Sequence, residues 1–262
     1  TPIYRIWNST NYSEEYSDTT DVGSNFNWLI LKANHERDEM IMGVIDQLKD
    51  THIEIYSDNG QGWNNYTEIA TTLPSASWKG FDIDYEDIDG EAVIVYEYDT
   101  GGNGAIAYRT WNGSNLSSQQ TYSYGTSANA NMIKTFPKKN SDDIMVLISD
   151  SQSDLHAILW NGTSMTNSTN SSGGYSSTLS TRVSSTNELH FEFAWETLSG
   201  DGIATYGEGS DIIYRSYYAE NQSWSDAVTM FGVNTALDVS KMCSDPYSDY
   251  IGLIYQDANT NS

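Results

Sequence analysis

Three lysines are the first residues whose spacing suggests a binding site. Lys32, Lys134 and Lys241 lie at similar positions within three apolar segments that are spread along the chain. If the fold brings these segments together around a central axis, the amines could bind an anion or an acidic sugar, because clustered positive charge attracts anions. In the alternative interpretation, a nearby carboxylate neutralises each amine, and the candidates are Asp82, Asp84 and Glu192.

A second candidate site is the acidic segment 82–91, which reads Asp-Ile-Asp-Tyr-Glu-Asp-Ile-Asp-Gly-Glu. Hard cations bind several carboxylate or carbonyl oxygens at once, so the segment suggests a calcium turn. The complete Asp-x-Asp-x-Asp-Gly loop is absent, because Tyr85 stands where the first ligand should be. A calcium site and a solvated acidic loop both stay open, and Ca²⁺ is the only cofactor that the sequence suggests. The candidate ligands are Asp82, Asp84, Asp87 and Asp89.

Aromatic and histidine side chains form the remaining candidates. Trp63, Trp111 and Trp160 belong to an internal repeat, and their rings could stack on sugars or pack between neighbouring repeats. His52 and His156 occupy the same position in two different repeats, so they cannot share one metal ion, and strand packing is their expected role. The sequence has no Cys/His zinc spacing, Gly-x-Ser-x-Gly elbow, phosphate loop or dinucleotide fingerprint.

The composition restricts the classes of partner. The chain has 262 residues, with 12 Lys and Arg against 36 Asp and Glu, which gives a formal net charge of −24. Such a charge disfavours binding to nucleic acid or anionic lipid. An aromatic content of 13% indicates a folded chain, and the single Cys243 excludes an internal disulfide. No apolar run approaches the length that spans a membrane.

An internal repeat organises the chain. Its aromatic anchors are separated by 49, 55, 49 and 57 residues, and they are Trp7, Tyr56, Trp111, Trp160 and Tyr217. Before most anchors stand an apolar segment and then an Asp-x-x-x-Asp or Asp-x-x-x-Asn turn, which is typical of a hairpin between two strands. The repeat therefore predicts a unit of four antiparallel strands whose second strand is the most apolar, as in a propeller blade.

The two chain ends predict how the repeats are arranged. The chain begins in the third strand of a unit and ends after a second strand, and the step from Tyr217 across the ends to Trp7 is 52 residues. We therefore expect a single domain over residues 1–262, an all-β, five-bladed β-propeller of four-stranded antiparallel blades. Its ring would be closed by the terminal strands, with the final blade shared between about 1–21 and 236–262. A β-sandwich and a segment of a longer tandem array are the alternatives.

Asn-x-Ser/Thr sequons are frequent and recur within the repeat. They predict an N-glycosylated protein at the cell surface or outside the cell, although polar turns also produce such triplets. The sequon residues are Asn8, Asn11, Asn65, Asn112, Asn115, Asn161, Asn167, Asn170 and Asn221.

The segment Tyr56-Ser57-Asp58-Asn59-Gly60-Gln61-Gly62-Trp63 resembles an Asp-box, Ser/Thr-x-Asp-x-Gly-x-x-Trp, with Tyr in place of the hydroxyl residue. The overall pattern is similar to sialidase-type β-propeller repeat domains of bacterial and archaeal surface proteins. The resemblance implies that Asp58 and Gly60 form a turn between the third and fourth strands of a blade, with Trp63 packed beneath it. Asp-boxes occur in sialidases, lectins and adhesins, so the resemblance implies a fold and no particular activity.

The function expected from these observations is structural. We expect a non-catalytic subunit of a surface layer, filament or adhesin that associates with itself or with other surface proteins. A lectin-like module that binds glycans is the alternative, and a glycoside hydrolase is a third class. A hydrolase needs paired carboxylates, which 36 acidic residues make uninformative. A sialidase-like cluster of three arginines is also not predicted, since Arg5, Arg109 and Arg215 fall on peripheral third strands.

Overall fold

The computed structural model describes residues 3–7, 9–17, 24–57, 62–71, 73, 77–99, 104–168, 176–183, 190–232 and 237–257. These residues form 22 β-strands and no helix, which confirms the all-β class. A membrane-spanning helix is accordingly absent from the described part of the chain.

Most of the strands form four antiparallel sheets in which consecutive strands are neighbours. The first sheet contains β3 (Phe26–Ala33), β4 (Glu39–Asp46), β5 (Thr51–Ser57) and β6 (Gly62–Ala70). The second contains β7 (Phe81–Tyr85), β8 (Ala92–Asp99), β9 (Gly104–Trp111) and β10 (Gln120–Ser123). The third contains β11 (Ala130–Pro137), β12 (Asp143–Asp150), β13 (Leu155–Asn161), β14 (Met165–Asn167) and β15 (Ser177–Ser180). The fourth contains β16 (Phe191–Trp195), β17 (Gly202–Glu208), β18 (Asp211–Tyr218), β19 (Ser223–Trp224) and β20 (Val228–Gly232).

Two two-stranded sheets lie outside these four. One contains β1 (Ile3–Tyr4) and β2 (Tyr16–Ser17), and the other contains β21 (Leu237–Ser244) and β22 (Ile251–Asp257). The first pair contacts the first sheet, where the Tyr4 ring lies 6.0 Å from that of Trp63. The second pair contacts the fourth sheet, where Ser244 donates a hydrogen bond to the carbonyl of Trp195. The sequence predicts that the two pairs form one blade. Among the described residues they are separate sheets, so ring closure and a count of five blades are not established.

The hydrophobic core consists of three layers, each enclosed by two successive sheets. Side chains alternate between the faces of a strand, so Val146 of β12 enters the layer shared with the second sheet, while Leu147 enters the layer shared with the fourth. A strand with core on both faces is apolar on both faces, which explains the apolar sequences of β8 and β12. The apolar segments predicted as second strands are 40–45, 92–98, 144–148, 203–206 and 250–255. They match β4, β8, β12, β17 and β22 to within two residues at either end.

The predicted Asp-x-x-x-Asp hairpins are confirmed in the first and third sheets. Oδ1 of Asp46 accepts hydrogen bonds from the backbone amides of Leu48 and Asp50 at 2.8 and 3.0 Å. Oδ1 of Asp150 accepts the corresponding bonds from Gln152 and Asp154, both at 2.9 Å. Each aspartate thus closes its own turn. The partners Asn103 and Asn261 of the other two turns, and Asp58 and Gly60 of the Asp-box-like segment, lie outside the described residues.

Candidate functional site

The first strands of the sheets surround a common cavity. β3, β7, β11, β16 and β21 contact one another in sequence, and each contributes side chains to a cavity of about 830 Å³. We call it the axial cavity, because it is lined by the first strands of successive sheets. This volume is within the range of small-ligand sites in proteins.

Lysine is concentrated in this axial cavity. Six of the seven lysines of the chain line it, and only Lys49 does not. The cavity lysines are Lys32, Lys79, Lys134, Lys138, Lys139 and Lys241, and the lining carboxylates are Asp82, Asp84, Glu192 and Glu196. The lining therefore has two more formal positive charges than negative ones, in a protein whose net charge is −24.

Ion pairs hold the deeper amines in place. Lys32 lies 2.6 Å from Asp84, and Lys79 lies 3.0 Å from Asp82. Glu192 is shared by two amines, at 2.5 Å from Lys134 and 2.8 Å from Lys241. The three lysines predicted at the axis therefore do line one cavity, and each is also paired with one of the carboxylates named as the alternative.

Burial shifts the pKa values of these groups. Burial raises the pKa of Asp84 to about 6 despite the attraction of Lys32. Burial also lowers the pKa of Lys134 to about 8, an effect that Glu192 only partly offsets. The opposite holds for Lys32, because Asp84 and Asp82 outweigh the effect of burial and raise its pKa. At neutral pH Lys32 and Lys134 are therefore mostly charged and Asp84 is mostly ionised.

The mouth of the cavity is more accessible and partly aromatic. The amine of Lys138 lies 4.9 Å above the Trp195 ring and 4.0 Å from Asp143. Lys139 is exposed, and 58% of the Lys241 side chain is accessible. Trp28, Phe136, Phe193 and Trp195 also line the cavity. Cations beside apolar rings suit a ligand that has both anionic groups and a hydrocarbon face.

The three tryptophans predicted as sugar contacts lie elsewhere. Trp111 and Trp160 are 5% and 2% exposed, and each indole donates to a buried glutamate, Glu39 at 3.0 Å and Glu86 at 2.6 Å. Each bond joins one sheet to the preceding sheet. The Trp63 ring packs on Tyr4 and Tyr56. This geometry corresponds to packing, which was the alternative role, and none of the three lines the axial cavity.

The predicted calcium ligands separate into two places. Asp82 and Asp84 belong to the axial cavity, whereas Asp89 approaches Glu86 and Asp142, a group of carboxylates whose oxygens lie within 4.8 Å of one another. Asp87 instead accepts a hydrogen bond from the backbone amide of Asn140 at 2.6 Å. Burial raises the pKa of Glu86 to about 7. Calcium at this acidic loop stays a prediction.

Two further groups, each of two aspartates and one histidine, were not predicted as sites. Asp46, Asp50 and His52 converge in the first sheet, and Asp150, Asp154 and His156 converge at the equivalent hairpin of the third sheet. The signal was present in the sequence as a repeated Asp-x-x-x-Asp-x-His spacing. Neither the turn motif nor the histidine indicates a ligand set by itself, and only their combined spacing does.

Most of the sequons are accessible. Among the described ones, Asn167 is half-buried and the others are exposed, namely Asn11, Asn65, Asn112, Asn115, Asn161 and Asn221. Asn8 and Asn170 lie outside the described residues. Exposure permits glycosylation, which stays a prediction.

Comparison with known proteins identifies the fold. No protein-family model matches the chain, and no curated protein matches its sequence. The BP39L lectin from Burkholderia pseudomallei is similar in structure, with a TM-score of 0.55, 10% identity, and 87% of this chain and 64% of that chain covered. The fungal lectin from Aleuria aurantia, a six-bladed β-propeller, has a TM-score of 0.52, 11% identity, and coverages of 95% and 77%. A PL25 ulvan lyase has a TM-score of 0.50, 11% identity, and coverages of 80% and 60%.

These similarities bear on two expectations from the sequence. The expectation that the chain is not an enzyme is wrong as an exclusion, because one protein with this fold is a polysaccharide lyase. Missing sequence signatures therefore do not exclude catalysis. The comparisons do not show a surface-layer, filament or adhesin subunit, and the neighbours include lectins. At such low identities the shared property is the fold, and the chain is an all-β protein of the propeller type.

Proposed function

We propose that this chain is a carbohydrate-binding propeller whose axial cavity binds an anionic saccharide. The observation that carries the proposal is the placement of six of the seven lysines around one cavity of a strongly acidic protein. Scattered surface lysines would serve solubility equally well, so their concentration at one site favours a negatively charged ligand.

The arrangement of charge suggests how such a ligand would be held. Asp82, Asp84 and Glu192 fix the inner amines, so these amines need little reorganisation when a ligand arrives. Lys138, Lys139 and the accessible part of Lys241 are then available to a carboxylate or sulfate group. The half-buried Trp28 and Phe136 rings offer apolar surface to the carbon face of a sugar. One of the similar proteins, the ulvan lyase, was solved bound to -[GlcA(1-4)Rha3S]-, a repeat with a uronate and a sulfated sugar.

Calorimetric titration with charged and neutral oligosaccharides tests the proposal. We expect binding of uronate-containing or sulfated oligosaccharides and none of neutral glucose oligomers. The double variant Lys138→Ala/Lys139→Ala should weaken binding by about tenfold or more, because it removes two charge-assisted contacts at the mouth. The matched control is Lys49→Ala, which removes the one lysine outside the cavity and should leave the affinity unchanged.

Two results would contradict this function. Equal affinity for neutral and anionic oligosaccharides would show that the lysines do not select the ligand. Equal loss in the Lys49 control would show a nonspecific effect of net charge, which added salt would also reveal.

We also propose the completed ring that the sequence predicts, in which β22 pairs with β1 to make a fifth blade. The supporting observation is exposed apolar surface on strands that ring closure would bring face to face: Leu29 and Leu31 of β3 are both 53% exposed, and Ile254 of β22 is 72% exposed. Contact between these faces would bury that surface. A crystal structure showing the β22–β1 ladder would support the closed ring, and a sixth blade or a free edge would contradict it.

An extracellular, N-glycosylated protein is the corresponding proposal for location. Its support is the exposure of the described sequons other than Asn167. Intact-mass measurement of natively purified protein, before and after enzymatic deglycosylation, tests it. An unmodified mass would contradict it.

A further inference from the structure

The hairpin between β4 and β5 brings three metal-binding side chains together. Asp46, Asp50 and His52 each present one ligand atom, and these atoms lie within 4.8 Å of one another. Asp46 is fully buried and His52 is 4% exposed, while Asp50 is half-buried. The group is therefore built into the sheet and is reachable from the side of Asp50.

Two atoms of this group have no hydrogen-bond partner among the described residues. They are Oδ2 of Asp46 and Nε2 of His52, which lie 3.8 Å apart, too far for a hydrogen bond. Buried polar atoms are nearly always paired in proteins, so two unpaired atoms that face each other require an explanation. A cation between them would satisfy both.

The other polar atoms of the same side chains are already engaged. Oδ1 of Asp46 accepts two backbone amides of the turn. Nδ1 of His52 lies 2.7 Å from the hydroxyl of Tyr66. When Nδ1 donates its proton to that hydroxyl oxygen, Nε2 presents a lone pair towards Asp46, which is how a metal-binding histidine is usually oriented.

The equivalent hairpin of the third sheet shows the same residues in a closed arrangement. Nε2 of His156 lies 3.2 Å from Oδ2 of Asp150, within hydrogen-bond distance, and Thr126 donates to the same oxygen at 3.2 Å. Protein groups therefore satisfy here the two atoms whose counterparts are unpaired in the first sheet.

We propose that the first-sheet hairpin binds one divalent transition-metal ion through Oδ2 of Asp46, Nε2 of His52 and the Asp50 carboxylate. Two carboxylates and one imidazole suit Zn²⁺, Mn²⁺ or Co²⁺, and the imidazole disfavours Ca²⁺ and Mg²⁺, which take oxygen ligands. Three protein ligands leave at least one coordination position for water or another ligand. The site is separate from the axial cavity, whose lining includes none of the three residues.

Titration of the chelator-treated protein with Co²⁺, followed by visible absorption, and with Zn²⁺, followed by calorimetry, tests the site. We expect one ion per chain and a Co²⁺ spectrum typical of mixed nitrogen and oxygen ligation. Asp46→Asn keeps the Oδ1 acceptor of the turn but loses the anionic oxygen, and His52→Gln removes the imidazole. Each should weaken binding by at least about tenfold.

The third sheet provides the matched controls. Asp150→Asn and His156→Gln make the same chemical changes in the closed arrangement and should leave the metal affinity and the spectrum unchanged. Far-UV circular dichroism verifies that each variant is folded. If His52→Gln does not fold, Asp50→Asn tests the same site from its more accessible side.

Three results would overturn the proposal. The first is a folded protein that binds neither Co²⁺ nor Zn²⁺. The second is unchanged binding in folded Asp46→Asn and Asp50→Asn variants. The third is a loss of binding caused by Asp89→Asn, which would place the ion at the acidic group of Glu86, Asp89 and Asp142.

Discussion

The hairpins of the first and third sheets have the same Asp-x-x-x-Asp-x-His sequence and the same turn, yet they differ in what surrounds the histidine. In the third sheet, Thr126 and His156 both reach Asp150. In the first sheet, Asp46 and His52 face each other without a hydrogen bond. The repeat therefore determines the turn, while neighbouring residues from other strands determine whether the buried atoms are satisfied internally. The third hairpin is stabilised by its own contacts, and the first is the better candidate for a ligand.

The largest expected effect is a difference in unfolding free energy between variants of Asp150 and Asp46. Asp150→Ala should cost about 3 kcal/mol, because it leaves His156, Thr126 and two backbone amides without their shared acceptor. Asp46→Ala should cost only about 1–2 kcal/mol, since the loss of two turn hydrogen bonds is offset by removal of an unsatisfied buried oxygen. Urea unfolding in the presence of a chelator measures both values. Equal costs would show that the two hairpins are closed to the same degree.

The strands and turns that depend on local sequence were predictable. Alternating burial and Asp-rich turns depend on residues close together in the chain, so the strands and the hairpins at Asp46 and Asp150 were predicted correctly. The pairing of Lys32 with Asp84 was also foreseen as an alternative, because both lie on strands expected at the axis.

The hydrogen bonds and the cavity that depend on contacts between distant strands were not predictable. The sequence separation between Thr126 and Asp150 is 24 residues, and that between Trp111 and Glu39 is 72 residues. Spacing within one repeat contains no information about such contacts. Lys79, Lys138 and Lys139 also line the cavity. No spacing in the sequence relates them to the three lysines predicted at the axis.

The size of the core side chains on the second strand also differs between the first and third sheets. Gly43 is opposite Ile53 in the first sheet, whereas Leu147 is opposite Ala157 at the equivalent place in the third. A Cβ at Gly43 would lie 2.5 Å from Ile83 and 2.7 Å from Phe81 of the second sheet. Gly43→Ala should therefore destabilise by about 1–3 kcal/mol through overpacking. Thermal unfolding tests this, with Ala157→Gly as the matched change in the third sheet, expected to cost about 1 kcal/mol. An unchanged or raised melting temperature for Gly43→Ala would contradict the close packing.

Removing the hydroxyl that orients the histidine should have a smaller effect, visible mainly in metal binding. Tyr66→Phe leaves Nδ1 of His52 without its partner at 2.7 Å and should weaken Zn²⁺ binding by about tenfold. The matched change is Thr178→Val, whose hydroxyl lies 3.4 Å from Nδ1 of His156 and which should leave Zn²⁺ affinity unchanged. Calorimetric titration compares the two variants. Equal affinities in Tyr66→Phe and the unmodified protein would show that the tyrosine does not orient His52.

The smallest expected effect is a pH dependence confined to the closed hairpin. Burial acts to raise the pKa of Asp150, but hydrogen bonds from His156 and from the amides of Asp154 and Gln152 outweigh it, and the pKa is lowered overall. A carboxyl group whose pKa is lower in the folded state stabilises the fold above its unfolded pKa of about 3.9, and this contribution is lost as the pH falls through the folded pKa. The difference in unfolding free energy between the unmodified protein and Asp150→Asn should therefore be constant near neutral pH and shrink below about pH 4. Urea unfolding at a series of pH values measures it, and a difference that stays constant in acid would show that the ionised form of Asp150 does not stabilise the third sheet.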